Sequence, residues 1–156
     1  MAVFDQLQAL LTSRQVAFAV LRHAPVFTSE EAAQVRGSAL ASGAKALICK
    51  ADERFVMFVM PADRRLDSKQ VRKAFSVKSL RFGTPAEVLE LTSLTPGSIP
   101  PFGQLFGLPT YCDDRLLEQP RINFNAGDHA ISISLATSDY LTIEQPTLGR
   151  FAELPA

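Results

Sequence analysis

The sequence predicts an α+β fold with a mixed, largely antiparallel β-sheet surrounded by short helices. Two apolar runs, GAKALICK (43–50) and RFVMFVMP (54–61), are separated by a short polar stretch and predict a β-hairpin that Pro61 should end. Helix start and stop signals are interleaved with strand signals along the chain. Because no linker is long enough to divide the sequence, we expect a single domain over residues 1–156.

The first half of the chain carries clear local signals outside the hairpin. Apolar residues at helical spacing predict a helix over residues 3–13, and the apolar stretch at 16–23 predicts a strand. Thr28 and Glu31 have the spacing of a capping box, which should start a second helix. Gly37 is a natural end for that helix, because glycine readily adopts the left-handed conformation that terminates helices.

The second half combines short helices with further strands. Its tail, residues 147–156, is expected to be peripheral. The predicted elements are a helix capped by Asp67 and Gln70, a helix that starts at Thr84, Pro85 and Glu87, a strand around 110–112, a short helix from Asp114, two strands within 121–135 and a helix within 138–145.

The composition is that of an ordinary soluble globular protein, with 47% hydrophobic and 21% charged residues. No apolar run approaches the roughly 20 residues of a membrane helix, and the N-terminus lacks the basic start of a signal peptide. We therefore expect a cytoplasmic protein with no membrane contact. Cys49, Cys112, His23 and His129 fit no metal spacing, so we expect no metal and no cofactor.

One lysine lies where an apolar residue is expected. In an extended strand, Lys45 shares a face with Leu47 and Cys49, while Lys50 at the strand end points the other way. Lys45 follows Gly43 directly and is surrounded by small apolar residues. Its ammonium group therefore either reaches solvent or faces a cavity that binds something anionic or rich in carbonyl groups.

The predicted third helix carries a face of positive charge. Lys69, Arg72 and Lys73 fall at positions i, i+3 and i+4, so they share one face. The residues left to pack inward are Val71, Ala74 and Phe75. The formal net charge of zero argues against general attraction to nucleic acid. A solvated face usually mixes both signs, whereas this one does not. The face is thus either solvated surface or a contact for a phosphate backbone.

The familiar catalytic motifs are absent from the sequence. There is no Gly-x-Ser-x-Gly elbow, phosphate loop, dinucleotide fingerprint or His-Glu-x-x-His. His23 and His129 lie near predicted strand ends, where a turn or core role is more common than that of a general base. The loop TPGSIPPFG (95–103) is the remaining unusual segment. It is either a rigid turn or a stretch of backbone that approaches a ligand closely.

Six stretches of the sequence occur together in an order that one family shares. They are FTSEEAAQVRG (27–37), GAKALICK (43–50), FVMFVMPADRRLD (55–67), LRFGTPAEVLELT (80–92), TPGSIPPFG (95–103) and NFNAGDHAISI (123–133). In this combination they resemble the YbaK family, which includes the editing domain of bacterial prolyl-tRNA synthetase. The resemblance implies a YbaK-like, barrel-like mixed sheet and hydrolysis of mischarged aminoacyl-tRNA. Without a synthetase body, the chain resembles the freestanding members.

The resemblance also implies the site residues. Lys45 matches a pocket lysine that the family needs for deacylation, and the family's Gly-x-x-x-Pro loop matches residues 97–101. This loop is expected to hold the terminal adenosine and the aminoacyl group. Asn125 stands where some members carry a histidine, which leaves the amino-acid preference open. The implied catalytic set is Lys45, Gly97, Ser98, Pro101 and Gly103, and the implied substrate-binding set is Thr28, Asn123, Asn125 and His129.

Three functional hypotheses follow. The first is a trans-acting deacylase that removes alanine, serine or cysteine from tRNA, with proline tRNA as the first candidate and prolyl-tRNA synthetase as a candidate partner. It would use a positioned water, backbone stabilisation of the oxyanion and Lys45 as a substrate contact, with Lys69, Arg72 and Lys73 along the acceptor stem. The second is a non-catalytic module that holds a tRNA end or a nucleotide. The third is a metal-dependent hydrolase.

Overall fold

The computed structural model describes residues 2–155, and its helices lie where the sequence predicts them. Both predicted capping boxes form, because the hydroxyls of Thr28 and Thr84 accept hydrogen bonds from the backbone N–H groups of Glu31 and Glu87. No helix in this range is long and apolar enough to cross a membrane. The α-helices are α1 Val3–Ser13, α2 Ser29–Arg36, α3 Ser68–Phe75, α4 Pro85–Thr92 and α5 Thr137–Glu144.

The strands of the described residues form two larger sheets and one small pair. They are β1 Phe18–Arg22, β2 Ala44–Ala51, β3 Arg54–Pro61, β4 Arg65–Leu66, β5 Leu80–Phe82, β6 Thr110–Asp113, β7 Arg121–Asn125, β8 Ile131–Ala136, β9 Thr147–Gly149 and β10 Ala152–Glu153. The strand orders are β5-β2-β3-β6-β9, β1-β8-β7 and β4-β10. Pairing is antiparallel except for β3–β6 and β6–β9, which confirms the predicted α+β class with a mixed, largely antiparallel sheet.

The β2–β3 hairpin lies in the middle of the five-stranded sheet and packs on both faces. Ala46 and Ile48 on one face of β2 join the larger core cluster with α1, α5, β7 and β8. Cys49 on the other face joins a second cluster that includes Val56 and Phe58 of β3. Burial on both faces explains why these two strands appear in the sequence as continuous apolar runs.

The C-terminal segment belongs to the core, so the prediction of a peripheral tail is wrong. Phe151 and Ala152 are fully buried, and their backbone N–H groups donate to Asp113 Oδ2 at 2.9 and 2.8 Å. The strand β9 pairs in parallel with β6, and β10 pairs with β4. Such pairing with strands distant in the sequence leaves no local pattern, which is why the sequence did not reveal it.

Candidate active site

A cavity of about 200 Å³ opens where α2, the start of β2, the TPGSIPPFG loop and β7 meet. Small side chains form much of its wall, and this leaves room for a small group. A concave site with a few convergent polar groups is typical of small-ligand binding. The small residues in the wall are Ala33, Ala39, Gly43, Ala44, Ala46 and Ala62, and the polar side chains are those of Thr28, Ser29, Arg36, Lys45 and Asn125.

Lys45 brings a cation to this cavity. Its Nζ donates a hydrogen bond to the Arg64 carbonyl oxygen at 2.6 Å, which leaves two of its N–H groups for a ligand. Burial and, secondly, the charge of Arg65 lower the pKa of Lys45, which the carboxylates of Glu30 and Asp63 partly offset. Among residues 2–155, no carboxylate lies within ion-pair distance of Nζ. The ammonium group is therefore available to a carbonyl or phosphate oxygen.

Arg36 is a second cation in the cavity wall, and the sequence analysis did not identify it. Its Nε donates to Ser132 Oγ at 2.8 Å, and its Nη2 donates to Asn125 Oδ1 at 2.9 Å. Burial lowers the pKa of Arg36 to about 10, so it is still a cation at neutral pH. The available signal was that Arg36 lies three residues after Ala33, which places both on one face of the helix. A basic residue in the last turn is, however, also expected simply because the helix dipole stabilises it.

The TPGSIPPFG loop presents backbone to the cavity. Gly97 has a φ of +93°, which glycine adopts far more readily than other residues, and its carbonyl accepts a hydrogen bond from Asn125 Nδ2 at 2.7 Å. Ser98 is buried, and its hydroxyl donates to the Thr95 carbonyl at 2.8 Å instead of facing the cavity. The backbone N–H groups of Gly97 and Ile99 donate to no residue in the described part of the chain. Both residues line the cavity, so these N–H groups are available donors.

Pro101 and Gly103 lie behind the cavity and not in its wall. The buried Tyr140 hydroxyl donates to the Pro101 carbonyl at 2.8 Å. A Cβ atom on Gly103 would lie 2.2 Å from Thr110 Oγ1, which accepts the Gly103 N–H at 3.1 Å. Both residues therefore fix the path of the loop. Their predicted catalytic role stays a prediction, and the geometry favours a positioning role, because neither residue lines the cavity.

Of the two other predicted substrate contacts, Thr28 lines the cavity, whereas His129 does not and lies behind the exposed Phe27, which does. Thr28 lines the cavity as the N-cap of α2, and the Phe27 ring lies 4.8 Å from the His129 imidazole. His129 Nδ1 faces the Val26 carbonyl at 3.2 Å, and its Nε2 faces Thr95 Oγ1 at 3.0 Å. Since a carbonyl only accepts, we assign the proton to Nδ1. Both nitrogens then have partners, which does not suit a general base.

The two predicted asparagines of β7 have different surroundings. Asn125 lines the cavity and bridges the Gly97 carbonyl and the Arg36 guanidinium. Asn123 does not line the cavity, and its Nδ2 donates to Ser42 Oγ at 3.0 Å. Asn125 therefore connects the loop to Arg36, whereas Asn123 holds the chain just before β2.

The predicted tRNA contacts lie outside the cavity on the surface of α3. This helix follows β4 and the turn whose Arg64 carbonyl holds the Lys45 ammonium. Val71 is fully buried as predicted, but Ala74 is exposed, because the contact face of this eight-residue helix runs along Val71 and Phe75. The three exposed basic residues are Lys69, Arg72 and Lys73.

The remaining reactive side chains are not arranged as a catalytic or metal cluster. Within residues 2–155, no group of three or more His, Cys, Asp or Glu side chains could hold a metal ion. Cys49 and Cys112 are buried, and burial raises the pKa of each thiol to about 12, so neither is a nucleophile at neutral pH. The cavity is lined by two cations, an amide side chain and two residues with free backbone N–H groups, a set that suits carbonyl and phosphate oxygens.

Comparison with known proteins agrees with this set. The family model for the aminoacyl-tRNA editing domain matches residues 23–143. The Multifunctional Ser/Thr-tRNA deacylase ProXp-y of Escherichia coli (strain K12) is 38% identical over 152 residues, which cover 94% of this chain and 91% of that protein. The chain therefore belongs to the aminoacyl-tRNA editing domain family. This confirms the resemblance drawn from the sequence and the prediction of an enzyme, an aminoacyl-tRNA hydrolase.

Two further similar proteins carry prolyl-tRNA synthetase or proline--tRNA ligase in their descriptions. A crystal structure described as that of a trans-editing enzyme for prolyl tRNA synthetase has a TM-score of 0.84 and 25% identity, with 98% of each chain covered. The Proline--tRNA ligase of Bacillus licheniformis is 32% identical over 82 residues, which are 52% of this chain and 14% of that protein. The structural match confirms the YbaK-like fold.

Proposed function

We propose that the cavity binds the aminoacyl end of a mischarged tRNA and that the chain hydrolyses the ester there in trans. The observation that carries this proposal is the Lys45 ammonium, which has two unused N–H groups in a small cavity that the unpaired amides of Gly97 and Ile99 also line. The name of the 38% identical relative supports serine and threonine as the amino acids. The class expected from the sequence is alanine, serine and cysteine, so serine is the amino acid that the expectation and that name share.

The reaction needs a positioned water and stabilisation of a developing oxyanion. The water oxygen attacks the ester carbonyl carbon, the bond between that carbon and the ribose oxygen breaks, and the ribose oxygen takes a proton. The products are a free amino acid and an uncharged tRNA, with no further reagent consumed. The substrate's ribose hydroxyl or amino group orients the water, which is consistent with protein partners at both ring nitrogens of His129.

The chain's own groups divide this work. The backbone N–H groups of Gly97 and Ile99 donate to the oxyanion, a contribution of roughly 3–4 kcal/mol for a well-placed donor. Lys45 holds the terminal phosphate or the ester carbonyl as a point charge. Asn125 fixes the loop through the Gly97 carbonyl, so the two amides keep their direction while the substrate binds.

The test is deacylation of a panel of labelled aminoacyl-tRNAs by the wild type, Lys45→Ala and Lys50→Ala. We expect Lys45→Ala to lower kcat/KM by roughly 100-fold or more, in the range seen when an oxyanion contact is removed. Lys50 lies near the other end of β2, with its ammonium 5.9 Å from the Phe55 ring, so Lys50→Ala should retain activity within about twofold. Equal losses in the two variants would contradict the assigned role of Lys45.

The panel also separates the alternatives. It should carry serine, threonine, alanine and cysteine on proline tRNA and on their own tRNAs, since the relatives are named for both Ser/Thr-tRNA and proline charging. Binding of tRNA without turnover on any substrate would favour the non-catalytic module. A chelator should leave the rate unchanged. Coprecipitation with prolyl-tRNA synthetase tests the candidate partner. We propose the cytoplasm as the compartment of the reaction.

A further inference from the structure

We propose that Arg36 is a specificity-determining residue that donates a hydrogen bond to the side-chain oxygen of a serine or threonine ester. This inference rests on the proposed function and names the substrate class of the same cavity. It concerns the side chain of the bound amino acid, whereas Lys45 and the loop amides concern the ester.

The guanidinium is fixed from two sides and left open on a third. Its Nε donates to Ser132 Oγ and its Nη2 to Asn125 Oδ1. The Ser132 hydroxyl also contacts His23 Nε2 at 2.8 Å. Because His23 Nδ1 faces the Ala24 carbonyl, which only accepts, we assign the proton to Nδ1, and Ser132 Oγ accepts from Arg36 and donates to His23. In the described part of the chain, Nη1 donates to no protein acceptor. A rigidly held donor without a partner is suited to a ligand.

Gly43 keeps the space beside this free group. A Cβ atom built on Gly43 would lie 3.8 Å from Arg36 Nη1, and it would also clash with Ala62 Cβ at 2.9 Å. Alanines, among them Ala33 and Ala39, form part of the wall of the same cavity. A side chain of the size of serine or threonine therefore suits the space, and its oxygen is the kind of group that a free guanidinium N–H would bind.

The electrostatic surroundings of Arg36 also indicate that the ligand supplies a hydrogen-bond acceptor. Over residues 2–155, Arg36 forms no ion pair, although it is half-buried. A partly desolvated donor that lacks a partner costs free energy, and that cost is recovered when an oxygen binds. Alanine and valine esters bring no acceptor and leave Nη1 unpaired, so they should be rejected. A pocket that only excluded large side chains would not separate threonine from valine, which have nearly the same shape.

The experiment compares threonine with valine, and serine with alanine, each acylated chemically onto the same tRNA. The wild type should show kcat/KM at least roughly tenfold higher for threonine than for valine. Arg36→Gln should lower the value for threonine by roughly 10- to 100-fold and change the value for valine much less. Arg36→Lys, which keeps the charge but not the two fixed bonds, should also lose discrimination, and thermal unfolding should show that both variants are folded.

The outcomes separate this inference from the proposed function. If the wild type hydrolyses valine and threonine esters equally well, Arg36 does not recognise the side-chain hydroxyl, although the proposed deacylase function is still supported. If Arg36→Gln lowers both values by the same factor, Arg36 only positions Asn125, and the inference is overturned. If the wild type hydrolyses none of the esters, the proposed function itself is wrong. Because the first comparison needs only the wild type, it can overturn the inference even if the variants misfold.

Discussion

Single residues in the cavity wall are held firmly but left with unused hydrogen-bonding capacity. Lys45 and Arg36 each bind protein acceptors and retain free N–H groups. Gly97 contributes its bare backbone, and its carbonyl is tied to Asn125. Because these groups are already oriented, binding of an ester would not cost the free energy of ordering them, which is the usual advantage of preorganised sites.

Gly97 offers a test of this view at the residue scale. Gly97→Ala places a Cβ in a positive-φ conformation and 3.4 Å from His129 Cε1, so we expect a loss of stability of about 1–2 kcal/mol and at least roughly tenfold lower kcat/KM. Gly107→Ala is the matched control, because Gly107 has a φ of +69° with nothing within 4 Å of the added Cβ.

The two variants should thus lose similar stability in urea denaturation, but only Gly97→Ala should lose activity. The activities are compared at a temperature where both variants are folded. Full activity of Gly97→Ala would mean that the backbone of the loop does not take part in the reaction.

At the scale of elements, α3 presents a surface distinct from the cavity. Its N-cap Asp67 accepts from the backbone N–H groups of Lys69 and Gln70, and Val71 anchors it to the second core cluster. The basic side chains are left at the surface, close in the chain to the turn that holds Lys45. We propose that this face contacts the acceptor stem while the cavity holds the aminoacyl end.

Charge reversal of Lys69, Arg72 and Lys73 to glutamate tests the role of α3. Glutamate is as good a helix former as lysine and arginine, so the fold should persist. If three phosphate contacts are lost, the slope of log K against log salt should become shallower by roughly two to three. Arg14→Glu at the end of α1 is the control for a general charge effect. An unchanged slope in the triple variant would remove α3 from the proposed tRNA surface.

At the scale of the whole molecule, the C-terminal segment supplies β9 as an edge strand of the five-stranded sheet. It also contributes Phe151 and Ala152 to the second core cluster. The buried Asp113 carboxylate accepts from the backbone of Phe151, Ala152 and Arg115, and the Arg115 guanidinium donates to the Ala152 carbonyl. The Phe151 ring packs edge-on against Phe58 of β3. The segment therefore supports the face of the central hairpin that also carries Lys45.

Phe151→Ala should be strongly destabilising. Removing a fully buried phenylalanine typically costs about 3–5 kcal/mol, which urea denaturation would show as a lower midpoint with an unchanged slope. The control is Leu154→Ala, because Leu154 lies three residues further along the chain and is 61% exposed. A loss for Phe151→Ala no larger than that for Leu154→Ala would show that the segment is peripheral after all.

Features with short-range causes were predictable from the sequence. The capping boxes at Thr28 and Thr84 depend on residues three positions apart, and the hairpin depends on two adjacent apolar runs. The placement of Lys45 among cavity residues followed from strand alternation together with the family resemblance. The local pattern and the fold agree at these positions, as is expected of a sequence that folds reliably.

Long-range contacts explain what the sequence did not reveal. Arg36 meets Ser132 and Asn125, which lie 96 and 89 positions away, and Phe151 is buried by pairing with strands far from it in the chain. Pairing of this kind has no period or spacing in the sequence, because it arises only when separate elements pack. The chain's local chemistry therefore fixed its helices, its central hairpin and the lysine, while packing between distant elements created the cavity, its second cation and the buried C-terminal segment.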